Sequence, residues 1–393
     1  MIKFQLTVIL GLTFLVSNAQ LDASWKVTWQ DDFNNQNSLN SQLWHTNYDW
    51  RQGYKCYEKE GSHYFQAYRS WPTDPHGNYV FDPQAVTGSP GGGKMELIVK
   101  QKTLTHPNTL NACVDPPRYE TRTTNYTAPM WVVSQQAFKY GYFEIRFKLP
   151  ALPPGKTNEG IGANFWLFGD INNISLNPNQ DIVWSELDIF EFLHNWQVPP
   201  GPGQNHNFSS GVHYTTIIPN TTDTVIDSTE GTMPYIHVDF DGTYKTMGCL
   251  WLPDRMAIYL DGEVVYHNEF PYLNKLMPMS IILDHNVAVS GSNLNPNTLI
   301  DYTYDIDYVK VYQLEMDCTT DFAVCEFNPV TYNNNVKKSI SVGGYNCDAR
   351  IPGNFNISFR AADFVELKEG FEVELGAEFY ADITDCNEAH EIR

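Results

Sequence analysis

Three carboxylic acids lie close together in one short segment of the chain that is otherwise apolar and aromatic. They are Glu186, Asp188 and Glu191, within the sequence IVWSELDIFEF of residues 182–192. Crowded carboxylates raise one another's pKa, which is unfavourable for folding alone. A solvent-exposed acidic strand is the ordinary interpretation of such spacing, but the apolar and aromatic neighbours argue against a fully solvated face. The segment therefore indicates acid and base chemistry.

The chemistry that such a group can perform is the hydrolysis of a glycosidic bond. Two carboxyl groups about 5–5.5 Å apart support hydrolysis with retention of configuration. One of them attacks the anomeric carbon, and the other protonates the leaving oxygen and later activates water. Asp188 lies between the other two in the sequence. It can hydrogen-bond the nucleophile and tune the pair by its own titration.

A β-strand with one irregularity would bring the three groups to the same face. Side chains alternate between the two faces of a strand, so Trp184, Glu186 and Asp188 share one face while the apolar residues between them point to the core. The same alternation would place Glu191 in the core, where a carboxylate is costly. One extra residue at Ile189–Phe190, a β-bulge, returns Glu191 to the first face, and bulges are common beside active sites.

The strands that must surround this segment are also visible in the sequence. Of the 393 residues, 14% are aromatic and 18% are charged, so the chain has ample apolar surface to bury and is not predicted to be disordered. From Trp25 to about Leu314, strand-like runs alternate with turn signals, such as Asp261-Gly262 between two runs, and helical periodicity is scarce. We therefore predict an all-β fold, a β-sandwich.

The charge balance and the amino terminus bear on partners and location. A formal net charge of -21 argues against nucleic acid as a partner. Residues 1–19 have the layout of a secretory signal peptide with cleavage between Ala19 and Gln20, and a buried N-terminal strand is the alternative. No later run reaches about 18 apolar residues, so we expect no membrane span. The protein is predicted to be secreted, at the cell surface or periplasmic, and monomeric.

The seven cysteines fit an exported protein, in which disulfides can form. No close CxxC pair is present, so no zinc site is indicated. Cys249 lies in an apolar stretch and is predicted to be a buried free thiol, whereas Cys56 and Cys113 could pair with each other. Four cysteines fall after residue 315, which is enough for two bridges.

Two further segments differ from the strand-and-turn pattern. Residues 357–383 alternate apolar and polar positions with glycine breaks, which predicts a small separate β module over residues 316–393. It could serve substrate attachment, cell-surface retention or stabilisation. Residues 54–93 are polar and rich in Gly and Pro, and a loop of that length predicts a functional or covering element of the larger domain at residues 20–315.

The segment ELDIFE at residues 186–191 resembles the active-site signature of glycoside hydrolase family 16 in its bulged form, Glu-x-Asp-x-x-Glu, as in laminarinases and agarases. Other segments resemble the family in order, namely WQDDFN at 29–34, FKYGYFEIRFKLP at 138–150, NFWLFG at 164–169, WLPDRMAIYLDG at 251–262 and DYVKVYQ at 307–313. The resemblance implies a concanavalin A-like β jelly roll with a concave cleft. It also implies retaining endo-hydrolysis of a β-linked polysaccharide.

The resemblance also assigns roles to individual residues. It makes Glu186 the nucleophile, Asp188 the assisting carboxylate and Glu191 the general acid and base. Substrate contacts are expected from a further set of side chains, namely Trp184, Trp166, Asn164, Trp131 and His213. For the tryptophans of this set, packing in the core is the alternative interpretation. The chemistry needs no cofactor. Some members of the family carry a structural calcium ion, which no local motif here indicates.

Departures from the family pattern leave the substrate open. Many β-1,3-glucanases of the family have Trp-Pro-Ala where this chain has Gly162-Ala163-Asn164, and many members have His at the position of Lys245. A β-1,3-glucan and an agarose-like galactan both stay candidates, while the acidic balance disfavours a heavily sulfated galactan. The alternatives to hydrolysis are transglycosylation through the same intermediate and a non-catalytic glycan-binding protein, which would ordinarily lack one carboxylate.

Overall fold

The computed structural model describes most of the chain. The described residues are 25–46, 67–70, 72–73, 75–83, 92–108, 120–158, 160–170, 182–192, 207–217, 224–230, 236–237, 241–252, 255–269, 273, 276–287, 297–299, 301–314, 316–325, 336–347, 349–353 and 356–384. The predicted signal segment and most of residues 54–93 lie outside these ranges. Within them there is no α-helix, and hence none with the length and hydropathy needed to cross a membrane. The all-β fold class is confirmed.

The strands follow one another in chain order with these bounds: β1 (Trp25–Asp31), β2 (Trp44–His45), β3 (Ala67–Ser70), β4 (Tyr79–Asp82), β5 (Lys94–Ile98), β6 (Lys100–Asn108), β7 (Glu120–Pro129), β8 (Val132–Phe138), β9 (Gly141–Lys148), β10 (Ile161–Asp170), β11 (Ile182–Phe192), β12 (Asn207–Ile217), β13 (Thr224–Glu230), β14 (Ile236–His237), β15 (Lys245–Trp251), β16 (Arg255–Leu260), β17 (Glu263–Glu269), β18 (Met279–Val287), β19 (Thr303–Leu314), β20 (Met316–Val324), β21 (Val336–Val342), β22 (Ala349–Ile351), β23 (Asn356–Leu367), β24 (Phe371–Val373) and β25 (Glu378–Ile383).

Two eight-stranded antiparallel sheets form a jelly-roll sandwich. The front sheet has the order β13-β12-β11-β10-β18-β8-β2, with β14 paired to β12. The back sheet has the order β17-β16-β15-β9-β19-β5-β4, with β1 paired to β19. Strand β11, which carries the three carboxylic acids, lies in the interior of the front sheet. A further sheet of three strands has the order β3-β7-β6.

The apolar face of β11 packs into the core of the sandwich. Leu187 and Ile189 are fully buried, as the alternation predicts, and Phe190 is buried beside them. The ring of Phe190 stacks on Phe147 of β9, with centroids 4.8 Å apart. Burial of an apolar side chain of this size contributes about 1.5–3 kcal/mol. This packing decides which face of β11 is turned to the core, and therefore which face carries the carboxylates.

The hairpin predicted from the Asp-Gly pair is confirmed. Strands β16 and β17 are antiparallel neighbours joined by Asp261 and Gly262, which have φ values of 50° and 85°. Positive φ at both central residues is what a two-residue turn of the hairpin type requires, and glycine adopts it without steric cost.

The strands after β19 form parallel sheets of their own. Strands β20, β21, β23 and β25 pair in that order, and β22 pairs with β24. They enclose an apolar cluster that is separate from the core of the sandwich. One ion pair, from Arg255 Nη2 to Asp382 Oδ2 at 3.5 Å, connects β16 to β25. The domain limits 20–315 and 316–393 stay a prediction.

The described cysteines fit the expectation of disulfides near the carboxyl end. Cys325 is bonded to Cys347, and Cys318 is also in a disulfide. Cys249 is a free and buried thiol, as predicted. The proposed pair of Cys56 and Cys113 lies outside the described residues.

Candidate active site

Strand β11 is bulged at the place that its sequence predicts. Against β12, the register shifts between Asp188 and Glu191, so that two residues of β11 lie opposite one residue, Ser210. Against β10, the register shifts at the same place. The two residues inside the shift, Ile189 and Phe190, are both buried in the core. The bulge therefore absorbs two apolar side chains on the core side and lets the next carboxyl return to the other face.

A histidine on the neighbouring strand meets two of the carboxylates. His213 of β12 lies directly across from Glu186 in the register. Its Nε2 atom is 3.3 Å from Asp188 Oδ2. Carboxylate and imidazole atoms of these three residues lie within 4.8 Å of one another. Among the described residues, this is the group whose ligand atoms come close enough together to hold a metal ion.

Gly211 leaves the space in which this contact forms. It is paired with Asp188 in the register. A Cβ atom at Gly211 would lie 3.3 Å from His213 Nε2 and 3.9 Å from Asp188 Oδ2. Because the first of these separations is tighter than ordinary van der Waals contact, any side chain at this position would press on the imidazole. The sequence analysis did not single out Gly211, since no local pattern connects it to the carboxylates.

Glu191 has the electrostatic surroundings of an acid. The pKa of its carboxyl is raised to about 8, mainly by burial and then by the charge of Asp188, while His213 acts in the opposite direction. The charge of Asp284 adds a smaller rise. A carboxyl with such a pKa is protonated at neutral pH, and a general acid must hold its proton before the reaction begins.

Asn164 of β10 lies across from Glu191 in the register. Its Nδ2 atom donates a hydrogen bond to Asp284 Oδ2 on β18, at 3.2 Å, and Asn286 Nδ2 donates to the same oxygen. Asp284 and Asn286 are buried and were missed in the sequence analysis. Their signal is a run of three polar residues, Asp284, His285 and Asn286, near the end of the strand MSIILDHNV, whose earlier residues are mostly apolar.

The three tryptophans predicted to contact substrate form one row together with Phe168, whose ring centroid is 6.0 Å from that of Trp166. Trp166 is half-buried, lies across from Asp188 in the register, and meets Trp131 edge-on with centroids 5.8 Å apart. Trp184 is half-buried and stacks on Phe168 with centroids 5.7 Å apart. Trp131 and Phe168 are almost fully buried. Trp166 and Trp184 are therefore the rings with accessible surface for a ligand.

Lysine and arginine divide unequally between the two sheets. The strands of the front sheet contain neither residue, although they contain the three carboxylates of β11 and Asp284. The strands of the back sheet contain all of the following: Lys26, Lys94, Arg146, Lys148, Lys245, Arg255 and Lys310. Lys245, which stands where many family members have His, pairs with Asp261 at 3.5 Å. It is thus a back-sheet residue.

The sequence matches the model of one known protein family. The model of the family "Glycosyl hydrolases family 16" matches residues 94–309, which include all three carboxylates of β11. No curated protein matches the sequence significantly.

Solved structures similar to this chain come from several organisms. LamAcat from Zobellia galactanivorans is 20% identical, with 73% of this chain and 98% of that chain covered and a TM-score of 0.46. The endo-beta-1,3-glucanase from Pyrococcus furiosus is 20% identical, with 74% and 95% covered and a TM-score of 0.45. The kappa-carrageenase from Pseudoalteromonas carrageenovora is 17% identical, with 73% and 94% covered and a TM-score of 0.44.

Proposed function

The chain belongs to glycosyl hydrolase family 16 and is an O-glycosyl hydrolase, and from this premise we propose that it cleaves internal bonds of a β-linked polysaccharide with retention of configuration. The observation that carries the proposal is that one carboxyl with a raised pKa lies on the same strand as two further carboxylates. Glu191 has a pKa raised to about 8, and it shares the cleft face of β11 with Glu186 and Asp188.

In the first step, Glu186 is the nucleophile. One of its carboxylate oxygens forms a bond to the anomeric carbon as the glycosidic bond to the leaving oxygen breaks. Glu191 gives its proton to that oxygen, so the departing part of the polysaccharide leaves as an alcohol. The sugar is then held as a glycosyl ester of Glu186.

In the second step, Glu191 acts as the base. It takes a proton from water as the water oxygen attacks the anomeric carbon, and Glu186 leaves as a carboxylate. Two inversions at the same carbon give net retention. Asp188 assists both steps because its charge favours the protonated form of Glu191, and His213 holds Asp188 through the 3.3 Å contact.

Binding of the polysaccharide is proposed for side chains beside the carboxylates. Trp184 of β11 and Trp166 of the neighbouring β10 are half-buried, so part of each ring is accessible, and aromatic rings suit the apolar faces of sugars. Trp131 contributes by supporting Trp166 from behind. Asn164 lies across from Glu191 and is oriented by its bond to Asp284, so its amide can meet a sugar hydroxyl close to the bond that breaks.

We propose a neutral polysaccharide, with a β-1,3-glucan and an agarose-like galactan as the candidates. Support comes from the strands of the front sheet, which offer several carboxylates and neither lysine nor arginine. A densely sulfated chain would meet like charge along this surface, and close like charges are costly to desolvate. A neutral chain meets no such barrier.

The remaining expectations are proposals of the same kind. The signal-like residues 1–19 support secretion to the cell exterior, the cell surface or the periplasm. We expect a monomer that acts without a cofactor, on a polysaccharide and not on nucleic acid. For the calcium ion that some family members carry, the described residues offer no cluster of three acidic or histidine ligands apart from the catalytic one. No step of the mechanism depends on such an ion.

The experiment that tests the proposal is a reducing-sugar screen over laminarin, lichenan, agarose, porphyran and carrageenan, with product sizes recorded. We expect oligosaccharides of intermediate size from one neutral polysaccharide and none from the sulfated ones. Glu186→Gln is expected to abolish turnover while folding and polysaccharide binding are kept. Products longer than the substrate would indicate transglycosylation, and binding without any products would contradict an enzyme.

A further inference from the structure

Ser210 is the residue of β12 that faces the bulge in β11. Ser209 pairs with Glu191 and Gly211 pairs with Asp188. Ser210 is therefore the single residue opposite the two that lie between Asp188 and Glu191. It is only 1% exposed. The alternation of side chains along β12 places it on the core side of the sheet, away from the cleft.

The Ser210 hydroxyl donates a hydrogen bond to the backbone carbonyl of Asp188, with 2.6 Å between Oγ and O. A bulge interrupts the regular ladder of backbone hydrogen bonds, and a buried carbonyl without a donor is costly. Asp188 is the last residue before the bulge, so the hydrogen bond from Ser210 is made at the edge of the bulge. Loss of the bulge would shift the register by one residue, exchange the two faces of the strand beyond it and turn Glu191 towards the core.

We propose that Ser210 is a positioning residue, which holds the bulge at Ile189–Phe190 and thereby keeps the Glu191 carboxyl beside Asp188. The inference rests on the proposed function. Ser210 lies on the core side and acts only through the Asp188 carbonyl. Without the Ser210 hydroxyl, the Glu191 carboxyl is correctly placed in a smaller fraction of the molecules, so turnover falls. Substrate binding falls less, because the aromatic side chains that bind the sugar lie outside the bulge.

The test uses Ser210→Thr and Ser210→Val, which have nearly the same shape and differ in the hydroxyl. A displacement of about 1 Å at a reacting group can cost about a hundredfold in rate. We expect Ser210→Val to lose about tenfold or more in kcat with less than about a twofold change in KM, and Ser210→Thr to stay within about threefold of the original enzyme. The alkaline limb of kcat should move to lower pH in the valine variant alone, because Glu191 becomes more hydrated.

A matched control is available at another irregularity of the same sheet. Ser134 of β8 is fully buried, donates to the Gln136 carbonyl at 2.6 Å and accepts from the Ile281 amide at 2.8 Å, next to a register shift between β8 and β18. Ser134→Val removes a similar bond to a backbone carbonyl, together with the bond from the Ile281 amide, on a strand that β10 and β18 separate from β11. It should lower the melting temperature while kcat and the pH profile are kept.

Two results would overturn the inference: equal kcat in Ser210→Val and Ser210→Thr, or the same kcat loss and pH shift in Ser134→Val. If the valine variant does not fold, Ser210→Ala and Ser210→Cys replace it in the comparison. If the original enzyme hydrolyses no polysaccharide, the proposed function fails by itself. Amide hydrogen exchange at Phe190 and Glu191 then decides about Ser210: faster exchange in the variant without the hydroxyl supports the inference, and unchanged exchange refutes it.

Discussion

Replacement of Glu191 by glutamine should stabilise the sandwich at alkaline pH. The folded protein raises the pKa of this carboxyl from 4.5 to about 8, mainly by burial and then by the charge of Asp188. Below pH 4.5 the carboxyl is protonated in both folded and unfolded chains, so it has no cost. Between pH 4.5 and about 8 the unfolded chain ionises this carboxyl while the folded protein keeps it protonated, so stability falls as the pH rises, and the loss levels off once the folded protein also ionises it above about 8. Glutamine stays neutral throughout.

The size of the effect follows from linkage. A pKa of about 8 in the folded state against 4.5 in the unfolded state makes the glutamine variant gain about 4 kcal/mol over the original protein between pH 5 and pH 9. Most of this gain falls between pH 5 and pH 8. An active site that is tuned for chemistry commonly carries such a cost in stability.

The assay is urea unfolding followed by tryptophan fluorescence at pH 5, 7 and 9. All ten tryptophans precede residue 252, so the signal reports the sandwich and not the strands after β19. Glu263→Gln is the control, since that side chain is exposed on the back sheet. The effect of this substitution on the free energy of unfolding should be the same at all three pH values. A difference between Glu191→Gln and the original protein that varies by less than about 1 kcal/mol over this range would refute the reasoning.

Other expected outcomes concern catalysis directly. The value of kcat/KM should fall as the pH rises through about 8, since Glu191 must be protonated to act as the acid; an alkaline limb below pH 6 would contradict this. Glu191→Ala should regain part of its lost turnover on an activated aryl glycoside when azide is added, with a glycosyl azide of retained configuration as the product. Failure of azide to restore any turnover would count against Glu191 as acid and base. Gly211→Ala should lower kcat about tenfold because its methyl group displaces His213 from Asp188, whereas Gly155→Ala, in an open loop, should leave kcat unchanged. Equal kcat in the two alanine variants would contradict the role given to the His213 contact.

The central part of the site could be predicted from the sequence because its signals are local. The alternation of side chains and the cost of a buried carboxylate together required a bulge at Ile189–Phe190, and the register shows one there. The hairpin at Asp261-Gly262 was predictable for the same reason, since two adjacent residues specify the turn.

The rest of the site depends on which strands become neighbours. Asp284 and Ser210 reach β11 from two different strands, and Asp284 does so across the intervening strand β10. No local pattern encodes that order. The sequence likewise predicted a small β module at the carboxyl end, but the parallel pairing of its strands could not be inferred from alternation, which is the same in parallel and antiparallel sheets.

The most direct test of the account is covalent trapping of the nucleophile. The enzyme would be incubated with an activated 2-deoxy-2-fluoro glycoside of the sugar that the screen identifies, digested, and analysed by mass spectrometry of the peptide that contains residues 182–192. The account predicts one added glycosyl group, attached to Glu186, and first-formed products with the anomeric configuration of the substrate. A label on Asp188 or Glu191, or first products of inverted configuration, would contradict it.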